Sequence, residues 1–389
     1  MKYSSLFWLF TEPYAKVYGT LEISDDGEAK FISKKPFSEG DRITEPNIYS
    51  EIEVSRYISV HNPYYREKTQ RSECTLGAEM VFIGGRTIRK EKSLIIKKFY
   101  CELENAEEFF LESFGYRTPF IKELIFDSKQ GWLAKIKFTF DKKCSLEIST
   151  VTPEKLSFYQ NAAHKVCTFI SLAVGDIVHT KGIKIVDLDN EVFDVYYKPS
   201  FISRKKNSKV SALFLYGRSL NEQFSKWCEL CDSSEEILRL YFLPLLTELD
   251  QTTYFILRSQ FLEAFHRKST KNNKLVFQKR ILSMLRNREY VRYIQKHTSH
   301  NKELKVLSEK IRDIRNYYTH YNEKDRYKKP DGTDLIFINI KMDLIAQLFL
   351  MDFLGFKVTD FYEINHKVIS NKYNRQLDIK KYTKSKVAT

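Results

Sequence analysis

The chain has little with which to build a disulfide framework or a membrane span. Its six cysteines (Cys74, Cys101, Cys144, Cys167, Cys228 and Cys231) are scattered through 389 residues in apolar surroundings, the usage of reduced intracellular thiols rather than of a stapled secreted domain. The longest apolar run, Leu344 to Leu354, is broken by Asp352 and preceded by Asp343, so it is too short and too charged for a bilayer. No basic start, apolar core and small-residue cleavage site open the chain, since Leu6–Phe10 is short and runs into Thr11-Glu12-Pro13. A cytoplasmic protein is expected. Internal repeats and low-complexity segments are missing. Gly84-Gly85 fits neither a P-loop nor a dinucleotide fingerprint, and G-x-S-x-G and H-E-x-x-H do not occur. Cys228-x-x-Cys231 stands without a second pair or a histidine pair, short of the four ligands that structural zinc needs. The acids Asp187, Asp189, Glu191 and Asp194 straddle an expected hairpin turn, where aspartate serves the backbone better than a cation. No metal and no cofactor are expected.

What is present is core material and positive charge. Hydrophobic residues make up 42% and aromatics 14%, enough for buried cores, and the length suits two or three domains. The net charge of +14 is concentrated. Residues 264–300 carry Arg267, Lys268, Lys271, Lys274, Lys279, Arg280, Arg286, Arg288, Arg292 and Lys296 against one acid, Glu289, with Phe277, Tyr290 and Tyr293 interleaved. A second excess lies in the tail at Lys380, Lys381, Lys384 and Lys386. Such stripes attract polyanions.

Up to about residue 217 the hydrophobic period is two. Val17–Ile23, Ile52–Ile58 and Ala134–Phe140 read as half-buried strands, with further strands expected at 80–83, 94–103, 146–151, 183–187, 193–197 and 210–216. Asp25-Asp26-Gly27, Asn62-Pro63, Gly84-Gly85, Lys129-Gln130-Gly131 and Asp189-Asn190 supply turns. One helix is expected at Pro153–Ala173, with Pro153 in its first turn. Beyond the polar link 203–209 and Gly217 the period becomes helical. Ser233-Ser234-Glu235-Glu236 fits a capping box with Ser233 as N-cap, and Pro244 should end or kink that helix. Further helices are expected at 253–268, 275–296, 302–320, 341–354 and 360–373, with a turn at Pro330-Asp331-Gly332, a short strand at Leu335–Ile340 and Gly355 as a C′ residue. The reading is an α+β protein: an antiparallel β-rich domain over 1–217, then an all-α bundle over 218–389.

Within the helix 302–320, Leu304, Leu307, Ile311, Ile314 and Tyr318 form one apolar stripe. At about 100° per residue from Arg315, the stripe centres near about −60°, Asn316 lies at about 100° and His320 at about 140°. The polar groups are thus expected to fan away from the domain's own core. On the helix 253–268, Glu263 shares a polar face with Gln260 and Arg267; its expected partner is Arg267 at i+4 or the Arg315/His320 set.

The octapeptide Arg315-Asn316-Tyr317-Tyr318-Thr319-His320-Tyr321-Asn322 resembles the R-x4-6-H signature of HEPN domains, small helical domains found in many metal-independent RNases. The run Phe261–Arg267 about fifty residues upstream, and a β-rich half before the helices, extend the resemblance to the ApeA type of abortive-infection protein. The resemblance implies a homodimeric, metal-independent endoribonuclease acting on cellular RNA, with transfer RNA a candidate, and leaving a 2′,3′-cyclic phosphate. His320 would be the general base or acid, Arg315 would neutralise transition-state charge, and Asn316 would position the phosphate or the imidazole. Glu263 would support them. The RNA path would run over Arg267, Lys268, Lys279, Arg280, Arg286, Arg288, Arg292 and Lys296, and the N-terminal domain would sense a phage-derived protein trigger. Two other readings stand beside this one: a non-catalytic HEPN-like module that binds nucleotide or RNA or dimerises, and a chain whose function lies in protein recognition by the β domain.

Overall fold

The computed structural model describes residues 1–35, 37, 47–68, 74–91, 94–114, 122–139, 143–197, 220–286, 301–320 and 332–356. The described strands are β1 (Lys2–Leu9), β2 (Val17–Ile23), β3 (Ala29–Ser33), β4 (Asn47–Glu53), β5 (Arg56–Lys68), β6 (Cys74–Gly84), β7 (Ile95–Glu104), β8 (Lys122–Asp127), β9 (Trp132–Phe138), β10 (Cys144–Lys155), β11 (His179–Asp187) and β12 (Val192–Tyr197). Helix α1 (Glu107–Phe114) follows β7, and α2 (Leu156–Val174) follows β10. All pairings are antiparallel, in the order β3-β2-β1-β4-β5-β6-β12-β11-β7-β10-β9-β8.

β6 organises this half. Its whole length pairs with β5 along one edge. Along the other edge, residues 74–78 pair with β3 and residues 80–84 with β12. The β3–β6 pairing closes the first six strands into a barrel, and β12 starts an open sheet from the same strand. Alternation explains the barrel: Leu21 and Ile23 of β2, Phe31 of β3 and Val60 of β5 face a common interior with Phe7 and Leu76. On the open sheet Tyr159 of α2 stacks on Phe99, and its hydroxyl meets the carbonyls of Ile96 and Lys97 at 3.0 and 3.1 Å.

Several local expectations are corrected. Ile52–Ile58 is two strand ends around a hairpin turn, with Ser55 at φ 60°, because its two-residue alternation continues through the turn. Asn62-Pro63 lies inside β5, where Asn62 adopts φ 49° and bonds Glu79 across the pair at 2.8 Å. Pro153 belongs to β10, in the bulge between Ser149 and Glu154 where no ladder N–H is required, and α2 starts only at Leu156. β1, β3, β8 and α1 had no counterpart in the sequence reading. The strand expected at 210–216 and the helix at 360–373 lie outside the described residues.

The helical half contains α3 (Leu220–Leu246), α4 (Gln251–Thr270), α5 (Phe277–Leu285), α6 (Asn301–His320) and α7 (Gly332–Leu354). The contact pattern groups it as a second compact unit, together with α1 from Glu108 and α2 from Phe169, whose ring meets Phe224 and Trp227 of α3. α3 begins before the expected capping box and kinks at Ser234; Ser233 turns its hydroxyl back to the Leu230 carbonyl instead of capping. Pro244 lies in the last turn of α3. The cap falls at Asp250, whose carboxylate accepts from the N–H groups of Thr252 and Thr253 at 2.9 and 3.1 Å. Leu335–Ile340 is helical and not a strand, being the first turns of α7, which is apolar on nearly every side. α7 ends at Gly355 (φ 84°), with the Phe356 N–H reaching the Met351 carbonyl at 3.1 Å and Gly355 N–H the Asp352 carbonyl at 2.9 Å, a Schellman closure. Buried Arg258 of α4 ties three helices: Nη1 donates to the Tyr241 carbonyl of α3 at 3.0 Å, and Nε stands 2.6 Å from Asp343 Oδ1 of α7. Asp343 also accepts from the Tyr254 hydroxyl.

Candidate active site

Helix α6 is amphipathic as expected, with Leu304, Leu307, Ile311 and Ile314 buried. Arg315 follows the last of these at the stripe's edge. Its guanidinium is held on two sides. Nη2 donates to Glu263 Oε2 of α4 at 2.7 Å, and the guanidinium carbon lies 4.7 Å from the ring centroid of Phe277 at the start of α5. Glu263 Oε1 meanwhile accepts from Arg267 Nη2 at 3.0 Å. Both partners expected for Glu263 among the arginines are therefore real, one on each oxygen. The Arg315 and Glu263 side chains are only 27% and 19% exposed, so this pair is shielded and stronger than a surface ion pair.

Arg315 does not fan outward from the bundle; it turns onto α4 and α5, because a planar cation gains from both a carboxylate and an aromatic face. Asn316 is half-buried, and Thr319 turns its hydroxyl back to the Arg315 carbonyl at 2.8 Å. His320 is the last residue of α6, five positions and about 7.5 Å along the axis from Arg315. The His320 side chain lies outside the described residues.

The expected RNA path divides. Arg267, Lys268, Lys279 and Arg286 are exposed, with Lys268 Nζ donating to the Ser233 carbonyl at 3.0 Å. Arg280 is the exception: it is fully buried, beneath the exposed cations. Arg288, Arg292 and Lys296 lie outside the described residues, as do the tail lysines. Phe277 and the partners of Arg280 were missed by sequence reasoning. An aromatic at the start of an amphipathic helix gives no sign of which cation it will meet.

The remaining motifs are absorbed by structure. Cys228 is buried in α3 and Cys231 half-buried one turn on. Asp187 is buried at the β11 turn, where Oδ1 accepts the N–H groups of Asp189 and Glu191, both at 2.9 Å, and Oδ2 pairs with Arg86 at 2.6 Å. No described helix is long and apolar enough to cross a membrane.

A β-rich half with a closed barrel, followed by a helical bundle carrying the Arg315–His320 segment, is matched by two family models. Residues 2–229 match the ApeA N-terminal domain 1 and residues 256–360 the Apea-like HEPN domain. The chain belongs to the ApeA-like HEPN family. No curated protein and no solved structure matches it. HEPN domains are in general nucleases, and the ApeA-like type suggests an anti-phage effector.

Proposed function

We propose that the protein is a metal-independent endoribonuclease whose activity is an anti-phage response, cleaving cellular RNA at a site built on Arg315, Asn316 and His320. The observation that carries this reading is the hold on Arg315: one carboxylate oxygen and one aromatic face fix a guanidinium at the end of the helix that His320 closes. A fixed cation suits charge that develops only in the transition state, because no reorganisation is needed when it appears.

The 2′-hydroxyl oxygen attacks the adjacent phosphorus, and the bond from phosphorus to the 5′-oxygen breaks. His320 takes the proton of the 2′-hydroxyl while water protonates the departing 5′-oxygen, or supplies that second proton while water accepts the first; an imidazole can serve either role near neutrality. Arg315 balances the charge on the pentacovalent phosphorus, and Asn316 positions it. The products are a 2′,3′-cyclic phosphate and a 5′-hydroxyl. Exposed Arg267, Lys268, Lys279 and Arg286 guide the strand, joined in this reading by Arg288, Arg292 and Lys296. Two protomers pair through the helical half, and in this reading the β half receives a phage-derived protein trigger.

The test is total cellular RNA incubated with purified protein in EDTA, for wild type, Arg315→Ala and His320→Ala. Wild type should cut and leave cyclic or 3′-phosphate ends, and both variants should lose at least a hundredfold in rate with their fold intact. Strict dependence on added Mg²⁺, or full activity in His320→Ala, would overturn the mechanism. RNA bound but never cut would favour the binding-module reading.

A further inference from the structure

We propose that Arg280 is the buried end of an anion site on the α4–α5 face of the helical unit, and that the anion it takes is a phosphate group. Among the described residues two arginines of this unit are fully buried, and they differ in their partners. Arg258 has a carboxylate, Asp343, at 2.6 Å. Arg280 has none within ion-pair distance among the described residues, and its side-chain hydrogen bond there runs from Nη1 to His266 Nδ1 at 3.3 Å. Among the described residues its buried Nε and Nη2 have no hydrogen-bond partner. Nε and Nη2 form one edge of the guanidinium, the fork of parallel N–H groups that grips two oxygens of a phosphate or carboxylate. The open edge is thus a complete binding element, and an unpaired buried cation is costly enough to need an explanation.

The neighbours keep that edge positive. The Ser283 hydroxyl donates to the Arg280 carbonyl at 2.7 Å, so at 2.8 Å it accepts from His266 Nε2–H, which leaves the Nδ1 lone pair for Arg280. Burial first, and then the Arg280 charge, hold the His266 pKa below its ordinary value, so the ring is neutral and offers no negative charge. Glu263 is the nearby acid that acts on Arg280, and both its oxygens are already taken by Arg267 and Arg315. Arg267 is within electrostatic reach, and exposed Lys279 adjoins Arg280 in the chain. The excess of cations favours phosphate over a carboxylate: a free or terminal phosphate brings up to two negative charges, and a backbone phosphodiester, with one, still offers two equivalent oxygens in tetrahedral geometry to the fork. Access is short. Ser283 and Thr270, both bonded to His266, are exposed, as is Arg267, so the guanidinium lies about one side chain below the surface.

The proposal does not rest on RNA cleavage. The experiment uses the full chain and follows thermal unfolding and calorimetric binding with inorganic phosphate, with acetate and with the dinucleoside monophosphate ApA, at constant ionic strength set by chloride. Wild type should show a saturable rise in Tm with phosphate, and acetate should give none. Arg280→Met should lose the rise and, without phosphate, be at least as stable as wild type, since an uncompensated buried charge has gone. Arg280→Lys, which keeps the charge but not the fork, should bind phosphate at least tenfold more weakly and covers the case in which the methionine variant does not fold. Competition by ApA would place the natural phosphate on a nucleic-acid backbone; phosphate binding without competition would make it free or terminal. A phosphate response retained in Arg280→Met, an equal response to acetate, or no response to phosphate or ApA in wild type would overturn the site.

Discussion

Glu263 divides one negative charge between two guanidiniums, and that division sets what each arginine is free to do. Arg315 takes Oε2 and rests on Phe277, while Arg267 takes Oε1 and stays half in solvent. On the proposed mechanism Glu263→Gln, which keeps the shape and removes the charge, should lower kcat about tenfold or more with a smaller effect on KM, because the interaction acts through Arg315 in the transition state; steady-state rates on a defined RNA measure it, and an unchanged kcat would sink the role. Arg258 and Asp343 make a different case. Asp343→Ala leaves Arg258 buried without its carboxylate and should cost about 3 to 5 kcal/mol in urea unfolding. His61 of β5 gives a pH prediction. It is buried, donates from Nε2 to the Ile88 carbonyl at 2.9 Å, and burial lowers its pKa to about 4. A base whose folded pKa lies below its unfolded value of about 6.5 contributes stability at high pH and loses it as the pH falls from about 6.5 to about 4, since only the unfolded chain takes the proton in that window. His61→Gln should flatten the slope of unfolding free energy against pH there, and an unaltered slope would assign it to other groups.

Elements fail where backbones come too close. Gly77 of β6 faces Tyr64 of β5, and a Cβ there would lie 2.5 Å from the tyrosine ring. Gly77→Val should therefore disturb the strand that the barrel and the open sheet share, lowering Tm well beyond the shift of a surface valine and shifting near-ultraviolet circular dichroism. At the end of α7 the demand is conformational. Gly355 at φ 84° should cost about 1 kcal/mol on change to alanine and less on change to asparagine, since the Lys226 amine that a Cβ would meet is the mobile end of its chain. Most strands and helices were legible at this scale because periods of 2.0 and 3.6 leave different traces, as in Val17–Ile23 and 302–320. The misreadings have local causes. β4 and β5 alternate through their own turn, Pro153 sits in a bulge that needs no N–H, and the start of α7 is apolar at every position, so its period says nothing.

At the scale of the whole molecule, the R-x4-H segment at the end of α6 belongs to a family whose HEPN site we expect to be completed by a second copy. Sedimentation at low micromolar concentration should give about twice the chain mass, and mixing Arg315→Ala with His320→Ala protein should restore part of the activity if one cleft draws an arginine and a histidine from different chains. A monomer that cleaves RNA would refute the arrangement. Charge reversal at Arg286, Arg288 and Arg292 together should weaken RNA binding and reduce the slope of log affinity against log salt by about 2.

The sequence alone determined the order of the halves and the apolar stripe of α6, and it singled out Arg315, Asn316 and His320 as the candidates, because periodicity and motif spacing are properties of neighbouring positions. Tertiary structure decided what no local pattern encodes: that β3 returns to β6 and closes a barrel, that Phe277 is the surface on which Arg315 rests, and that Arg280 is withdrawn from the basic stripe in which the sequence places it. Charge is written into a residue. Whether that charge meets water, a ring or a carboxylate depends on which distant segments pack beside it.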